Sequence, residues 1–309
     1  MSKSQLHVYA RLPRAGIGNK LFIWARAVVF SKINGAHYTC WGWSHFSVGP
    51  YLRGEHLKRN YRNIISAKHT GITDRIGLWF YKIVKPEIIL IDPPVAKADV
   101  KQDSKVIFSA VPHWADYFMY LKEYRTQLYC ELFEIAAPAI KNIVNSTEAP
   151  FFSVHIRLGD FKKLSEGIDF KRVGNTRTPI EYFVNGITNV RKVIGSNVPI
   201  SIFTNGKEEE LGAILQLENC RIISGNPDLA DLLLMSKSKI IMTSAGSTFG
   251  YWAAFFSDAI ILMHPDHIHQ PLRDDKTNAE FYEGALLDQV KDWSPLLITN
   301  LRSMLNKVL

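Results

Sequence analysis

Along the second half of the chain, short apolar runs take turns with segments of helical periodicity. The runs at 151–157, 199–204, 220–224, 239–243 and 259–263 read as strands buried on both faces. Between them helices are predicted from Thr178-Pro179 onward, from Lys207 to about Leu217, from Gly225-Asn226-Pro227-Asp228 to about Met235, and from Phe249 to Phe256. This alternation predicts a parallel, doubly wound sheet. The first half is less regular. Residues 5–12 read as a strand, Pro13 to Asn19 as a turn with two glycines, and Lys20 to Asn34 as a helix closed by Gly35. Residues 36–85 carry no clear period, 88–91 and 105–109 read as strands, and 115–144 as helix interrupted near Pro138. A tail helix is predicted over 295–308. The turn-rich Asn145 to Pro150 divides the chain into domains 1–149 and 150–309, with the last helix free to pack back on the first domain. A length of 309 residues suits two such domains.

Charge narrows the partner. The net charge is +8, and no Asp or Glu precedes Glu55, while Lys3, Arg11, Arg14, Lys20, Arg26, Lys32 and Arg53 all do. Such a field favours an anion: a nucleotide, a nucleic acid or an acidic membrane surface. Aromatic residues among the cations of 36–85 (Trp41, Trp43, Phe46, Tyr51, Tyr61, Trp79, Phe80, Tyr81) suit sugar or base stacking, or packing. A basic nucleic-acid-binding protein is therefore the alternative reading, although no nucleic-acid module is present in the sequence. Cys40, Cys130 and Cys220 are odd in number and far apart, which points to buried thiols in a reducing compartment. No apolar run approaches the roughly 18 residues of a membrane span. Arg26 splits residues 21–30 (LFIWARAVVF), and no small-residue cleavage site follows, so a signal segment is not expected. The expectation is a cytoplasmic protein whose basic surface allows peripheral contact with the inner membrane face.

Candidate chemistry sits at predicted strand ends. Strand 151–157 opens into His155-Ile156-Arg157-Leu158-Gly159-Asp160, where a five-donor guanidinium suits a phosphate and Arg157 with Asp160 would also make an ordinary ion pair. Ser244-Ala245-Gly246-Ser247-Thr248, feeding a helix, offers hydroxyls and free backbone N–H groups under a positive helix end, or simple capping by Ser247. Together with Arg157 this turn could hold a diphosphate from two sides without a metal. Gly16, Gly18 and Asn19 lack the third glycine of a dinucleotide fingerprint, so they are read as a tight turn at a cleft edge. The His264-Pro265-Asp266-His267-Ile268-His269 cluster matches no metal-binding pattern, and Asp274-Asp275 reads as a solvated loop.

These residues carry a family resemblance. His155 to Asp160 resembles the His-x-Arg-Arg-x-Asp motif of the α-1,2-, α-1,6- and protein O-fucosyltransferase superfamily. Gly16-Ile17-Gly18-Asn19-Lys20-Leu21-Phe22 resembles the Gly-x-Gly-Asn-Gln-x-Phe segment of glycosyltransferase family 11, the α-1,2-fucosyltransferases. Asp231-Leu232-Leu233-Leu234-Met235-Ser236 and Thr248-Phe249-Gly250-Tyr251-Trp252-Ala253-Ala254 are similar to its Asp-Leu-x-x-Met-Ser and Ser-Phe-Ser-Trp-Trp-Ala-Ala. The sequence departs from the pattern at Leu158 (second Arg), Lys20 (Gln), Gly250-Tyr251 (Ser-Trp) and Thr204-Asn205-Gly206 (Ser-Asp-Asp).

The resemblance implies an α/β, GT-B-like fold of two Rossmann-like domains facing a cleft. It implies inverting transfer of fucose from GDP-fucose, with no metal or other cofactor, to a galactose-containing oligosaccharide or lipid-linked glycan, and no nucleic-acid partner. Donor contacts would be His155, Arg157, Asp231, Ser247, Thr248 and Phe249, with Gly16, Gly18 and Asn19 on the acceptor side. Arg157 would stabilise the leaving diphosphate, and either Asp160 or Glu166 would take the acceptor proton. Leu158 and Asn205 also leave open an inactive relative that still binds nucleotide sugar.

Overall fold

The computed structural model describes residues 6–43, 61, 63–66, 87–90, 105–159, 161–163, 176–268 and 270–304. The chain falls into two compact units, Met1–Asn142 and Ile143–Leu309. Both sheets are parallel throughout, as the alternating pattern predicts.

In the first unit β1 (His7–Arg11), β2 (His37–Trp41), β3 (Glu87–Leu90) and β4 (Lys105–Phe108) lie in the order β2-β1-β4-β3. Between β1 and β2 runs α1 (Ile17–Asn34), nearly all of whose residues are buried. It begins three residues earlier than the hydrophobic period implies. Gly18 and Asn19, expected in the turn, therefore lie in its first turn. Gly35 closes it in the left-handed conformation (φ 62°), which Gly adopts without a Cβ penalty. The helical region after β4 is two short 3₁₀ turns, Trp114–Asp116 and Lys122–Tyr124, followed by α2 (Arg125–Ile135) and α3 (Pro138–Ser146). Pro138 opens α3, where its missing N–H costs nothing.

The second unit holds β5 (Phe152–Ile156), α4 (Ile180–Ile194), β6 (Ile200–Thr204), a 3₁₀ turn (Glu208–Leu211) running into α5 (Gly212–Leu215), and β7 (Cys220–Ile223). It continues with α6 (Asp228–Met235), β8 (Ile240–Thr243), α7 (Thr248–Phe255), β9 (Ile260–Met263), α8 (Asp275–Glu280), β10 (Glu283–Ala285) and α9 (Pro295–Ser303). The six strands run β10-β9-β8-β5-β6-β7. Every residue of β5, β8 and β9 is buried, because helices cover both faces of the sheet. Phe152, Val154, Ile156, Phe183, Ile187 and Ile240 form the centre of the core. The last helix, expected to be free to pack back on the first domain, places Leu297 and Leu301 in this core.

Two elements here have no apolar signature. Asp274, expected in a solvated loop, caps α8 by accepting the Thr277 N–H at 2.9 Å. Strand β10 is held by a buried ion pair through its Glu283 rather than by apolar side chains of its own. Arg273 Nε lies 3.1 Å from Glu283 Oε2, and its remaining donors reach the carbonyls of Ser257, Ala259 and Phe281. Bonded to a carboxylate and three carbonyls, the buried guanidinium becomes a brace between the sheet edge and the end of α7. No helix among the described residues is long and apolar enough to cross a membrane.

Candidate functional site

From β5 the chain moves out through β6 and β7, then returns to the opposite side of β5 with β8. The loops after β5 and β8 therefore diverge from neighbouring strands, which is where open parallel sheets hold ligands. Arg157 is the first residue after β5, and Ser244 the first after β8. Ser244 stitches the two together. Its Oγ accepts the Arg157 N–H at 2.8 Å and donates to the His155 carbonyl at 3.1 Å, while its own N–H reaches that carbonyl at 3.0 Å. Arg157 is half-buried, with its guanidinium carbon 5.6 Å from the centre of the Phe161 ring. Pairing of the two strands thus brings together Arg157 and the Ser244–Thr248 turn, which are far apart in sequence.

The turn itself differs from the expected cradle of free N–H groups. The Ala245 N–H is bound by Thr178 Oγ1 at 2.9 Å, the Gly246 N–H by the Tyr251 hydroxyl at 2.7 Å, and the Ser247 N–H by the Ser244 carbonyl at 3.4 Å. Gly246 takes φ 69°, a conformation that favours glycine. Ser247 is buried and precedes α7 without capping it through its side chain. The N–H groups of Thr248, Phe249 and Gly250 are the ones left without carbonyl partners inside the helix, as in any first turn. The N–H groups not already bound within the turn therefore sit one step further along than the sequence motif suggests.

His155 is a packed histidine. It is 4% exposed, stacks on Phe249 with ring centres 5.0 Å apart, and its Nδ1 has no hydrogen-bond partner. Burial, with the Arg157 charge adding to it, pushes its pKa down to about 3, so the ring is neutral. A Cβ on residue 250 would come within 3.0 Å of His155 Nδ1, which explains glycine there. Asp231 lies on the first turn of α6, half-buried, and accepts from Asn226 Nδ2 at 3.0 Å. Burial lifts its carboxyl to about 7. Asp160 and Glu166 lie outside the described residues.

In the first unit, Gly16 ends the loop after β1, and a Cβ there would meet nothing within 4 Å. Strand order again changes direction between β1 and β4, so this loop holds the equivalent position in its own sheet. Gly18 is buried and Asn19 half-buried in α1, whose first N–H, that of Ile17, is taken by the Tyr61 hydroxyl at 3.1 Å. Lys20, also in α1, is 1% exposed and donates to the carbonyls of Pro13 (2.8 Å) and Gly42. Burial pushes its ammonium down to about 8. His264 Nδ1 accepts the Asp266 N–H at 3.2 Å, closing a local turn.

Two of the motif departures, Leu158 and Asn205, are joined by supporting residues that no motif contains. Leu158 packs into the core at 2% exposure, and Asn205 Oδ1 accepts both the Leu158 and Gly159 N–H groups, at 3.0 and 3.2 Å. Arg177 Nε donates to the carbonyls of Leu158 (3.0 Å) and Phe161 (2.9 Å), and its Nη1 meets Glu210 Oε1 at 2.6 Å. Glu210 is fixed in turn by the Lys207 N–H at 3.0 Å. Thr178, at the predicted start of the helix, lies outside α4 and braces the loop after β8. Arg177, Thr178 and Glu210 belong to none of the motifs, so only the fold could reveal them.

The model of the family described as Glycosyl transferase family 11 matches residues 96–283. No curated protein sequence matches the chain. Among solved structures the chain is similar to the fucosyltransferase NodZ from Bradyrhizobium, at 11% identity and a TM-score of 0.48, over 82% of this chain and 94% of that one. It is similar to a mutant of Arabidopsis thaliana FUT1 in complex with GDP, at 11% identity and a TM-score of 0.44, over 84% and 70%. POFUT1 in complex with GDP-fucose aligns at 12% identity and a TM-score of 0.44, over 82% and 94%.

Proposed function

The chain belongs to glycosyltransferase family 11, and from that premise we propose that it transfers fucose from GDP-fucose to a hydroxyl of an oligosaccharide, forming an α-1,2 link to galactose. The observation that carries this reading is the meeting of Arg157 with the start of α7 at the β5/β8 divide, joined through Ser244. A fixed cation and first-turn N–H groups converge there, a combination suited to a diphosphate. In this reading the enzyme is of the GT-B type. The second unit takes the donor, and the loop after β1, with Gly16 and Asn19, serves the acceptor.

The acceptor oxygen attacks C1 of the fucose from the face opposite the diphosphate. The C1–O bond breaks, its electron pair goes to the β-phosphate oxygen, and GDP leaves with inversion. Charge grows on that oxygen as the sugar becomes oxocarbenium-like, so Arg157 and the Thr248–Gly250 N–H groups bind the transition state more tightly than the ground state. Asp160 or Glu166 takes the acceptor proton. Asp231 receives the nucleotide base, and neutral His155 backs the Arg157 strand end against Phe249. The positive charge that the diphosphate needs is supplied by Arg157 and the helix start, with no metal in the scheme.

Incubation with GDP-fucose and a panel of galactosides, read by mass and linkage, tests the reading. A fucosylated product with a new α-1,2 link is expected. Arg157→Ala should lower kcat by about 10²–10³-fold while the chain stays folded. Tight binding of another nucleotide sugar, with none of GDP-fucose, would sink the donor assignment.

A further inference from the structure

The guanidinium of Arg157 leaves the strand end on a flexible side chain, and a phosphate ligand needs it at a fixed height above the sheet. What lies against it is the Phe161 ring, at 5.6 Å. That ring belongs to a short turn in which the Phe161 N–H reaches the Leu158 carbonyl at 3.2 Å. The turn's two outward carbonyls, of Leu158 and Phe161, both accept from one atom, Arg177 Nε, at 3.0 and 2.9 Å. The Arg177 N–H also reaches the Lys162 carbonyl at 2.9 Å. Arg177 is held in turn by Glu210, whose other oxygen accepts the Lys207 N–H just past β6. From the opposite side Asn205 clamps the Leu158 and Gly159 N–H groups.

An isolated, partly exposed ion pair would be worth little to stability. This one spends the guanidinium on loop carbonyls, the use for which a rigid planar fork suits and an ammonium does not. We propose that Arg177 and Glu210 are positioning residues for Arg157. They tie the end of β6 to the carbonyls of Leu158 and Phe161 and set the Phe161 ring as the platform on which the phosphate-binding guanidinium rests. This rests on the donor reading given above. It also accounts for Leu158: its apolar side chain packs into the core, while Arg177 reaches the Leu158 and Phe161 carbonyls.

The test is a double-mutant cycle read on the Kd for GDP and on kcat and KM with GDP-fucose. Arg177→Lys keeps the charge but not the fork. It should lower kcat/KM about ten- to a hundredfold, with the loss mostly in kcat. Combined with Arg157→Ala it should cost nothing further, because the brace acts only through Arg157. Glu210→Gln should give a smaller loss in the same direction. If Arg177→Lys does not fold, Phe161→Leu, which removes only the ring, carries the same cycle. Wild-type rates in Arg177→Lys, or losses that multiply with Arg157→Ala, overturn the proposal while the donor reading stands. A wild-type chain that neither binds GDP nor turns over GDP-fucose overturns both.

Discussion

At the scale of single residues, Asp231 illustrates how environment sets chemistry. Burial raises its carboxyl to about 7, opposed by the Asn226 amide and reinforced by Asp228. Because the folded pKa lies above the usual carboxylate value, the free fold is most favoured with Asp231 protonated, and it loses that stability as pH rises through about 7. If Asp231 accepts N–H groups of the guanine edge, the bound form is the carboxylate. GDP affinity should then increase with pH up to about 7, by at most about tenfold per pH unit, and level off above. Calorimetry across pH checks this, and the rise should be absent in Asp231→Asn. The sequence names Asp231 through its motif but says nothing of its burial. Leu158 is the reverse case. As a motif position it reads as a lost cation, whereas its 2% exposure makes it a core residue.

At the scale of elements, the start of α1 is where periodicity and structure part. The helical period begins at Lys20, yet the helix begins at Ile17 because Tyr61, far along the chain, caps the Ile17 N–H. Lys20 looks like a solvated charge at a helix start and is instead a buried staple between the carbonyls of Pro13 and Gly42. Lys20→Met should cost about 2–4 kcal/mol, measured from the urea midpoint, because two buried carbonyls lose their donor. Its ammonium is pushed down to about 8, so the wild-type stability it contributes rises as pH goes from about 8 toward the ordinary lysine value. Strands β5, β8 and β9 were legible as apolar runs. Strand β10 was not, since its place depends on the Arg273–Glu283 pair and not on hydrophobic residues of its own.

At the scale of the whole molecule, every described residue proposed above for the donor lies in Ile143–Leu309, together with a core of its own. A fragment covering 137–309, begun so that α3 stays whole, should unfold cooperatively and bind GDP as tightly as the full chain. Calorimetric titration against both decides it, and loss of binding in a folded fragment would place part of the donor site in the first unit. The sequence by itself determined the parallel α/β class, most strands of the second unit, and the family through four short motifs. Those are properties of local period and spacing, which a linear pattern records. Only the tertiary structure decided that Arg157 and the Ser244–Thr248 turn are neighbours, because strand order, not strand content, places β8 beside β5. It also decided which N–H groups of that turn are already spent, and that Arg177, Glu210 and Asn205 hold the turn beneath Arg157. Such contacts join residues whose separation in sequence carries no period.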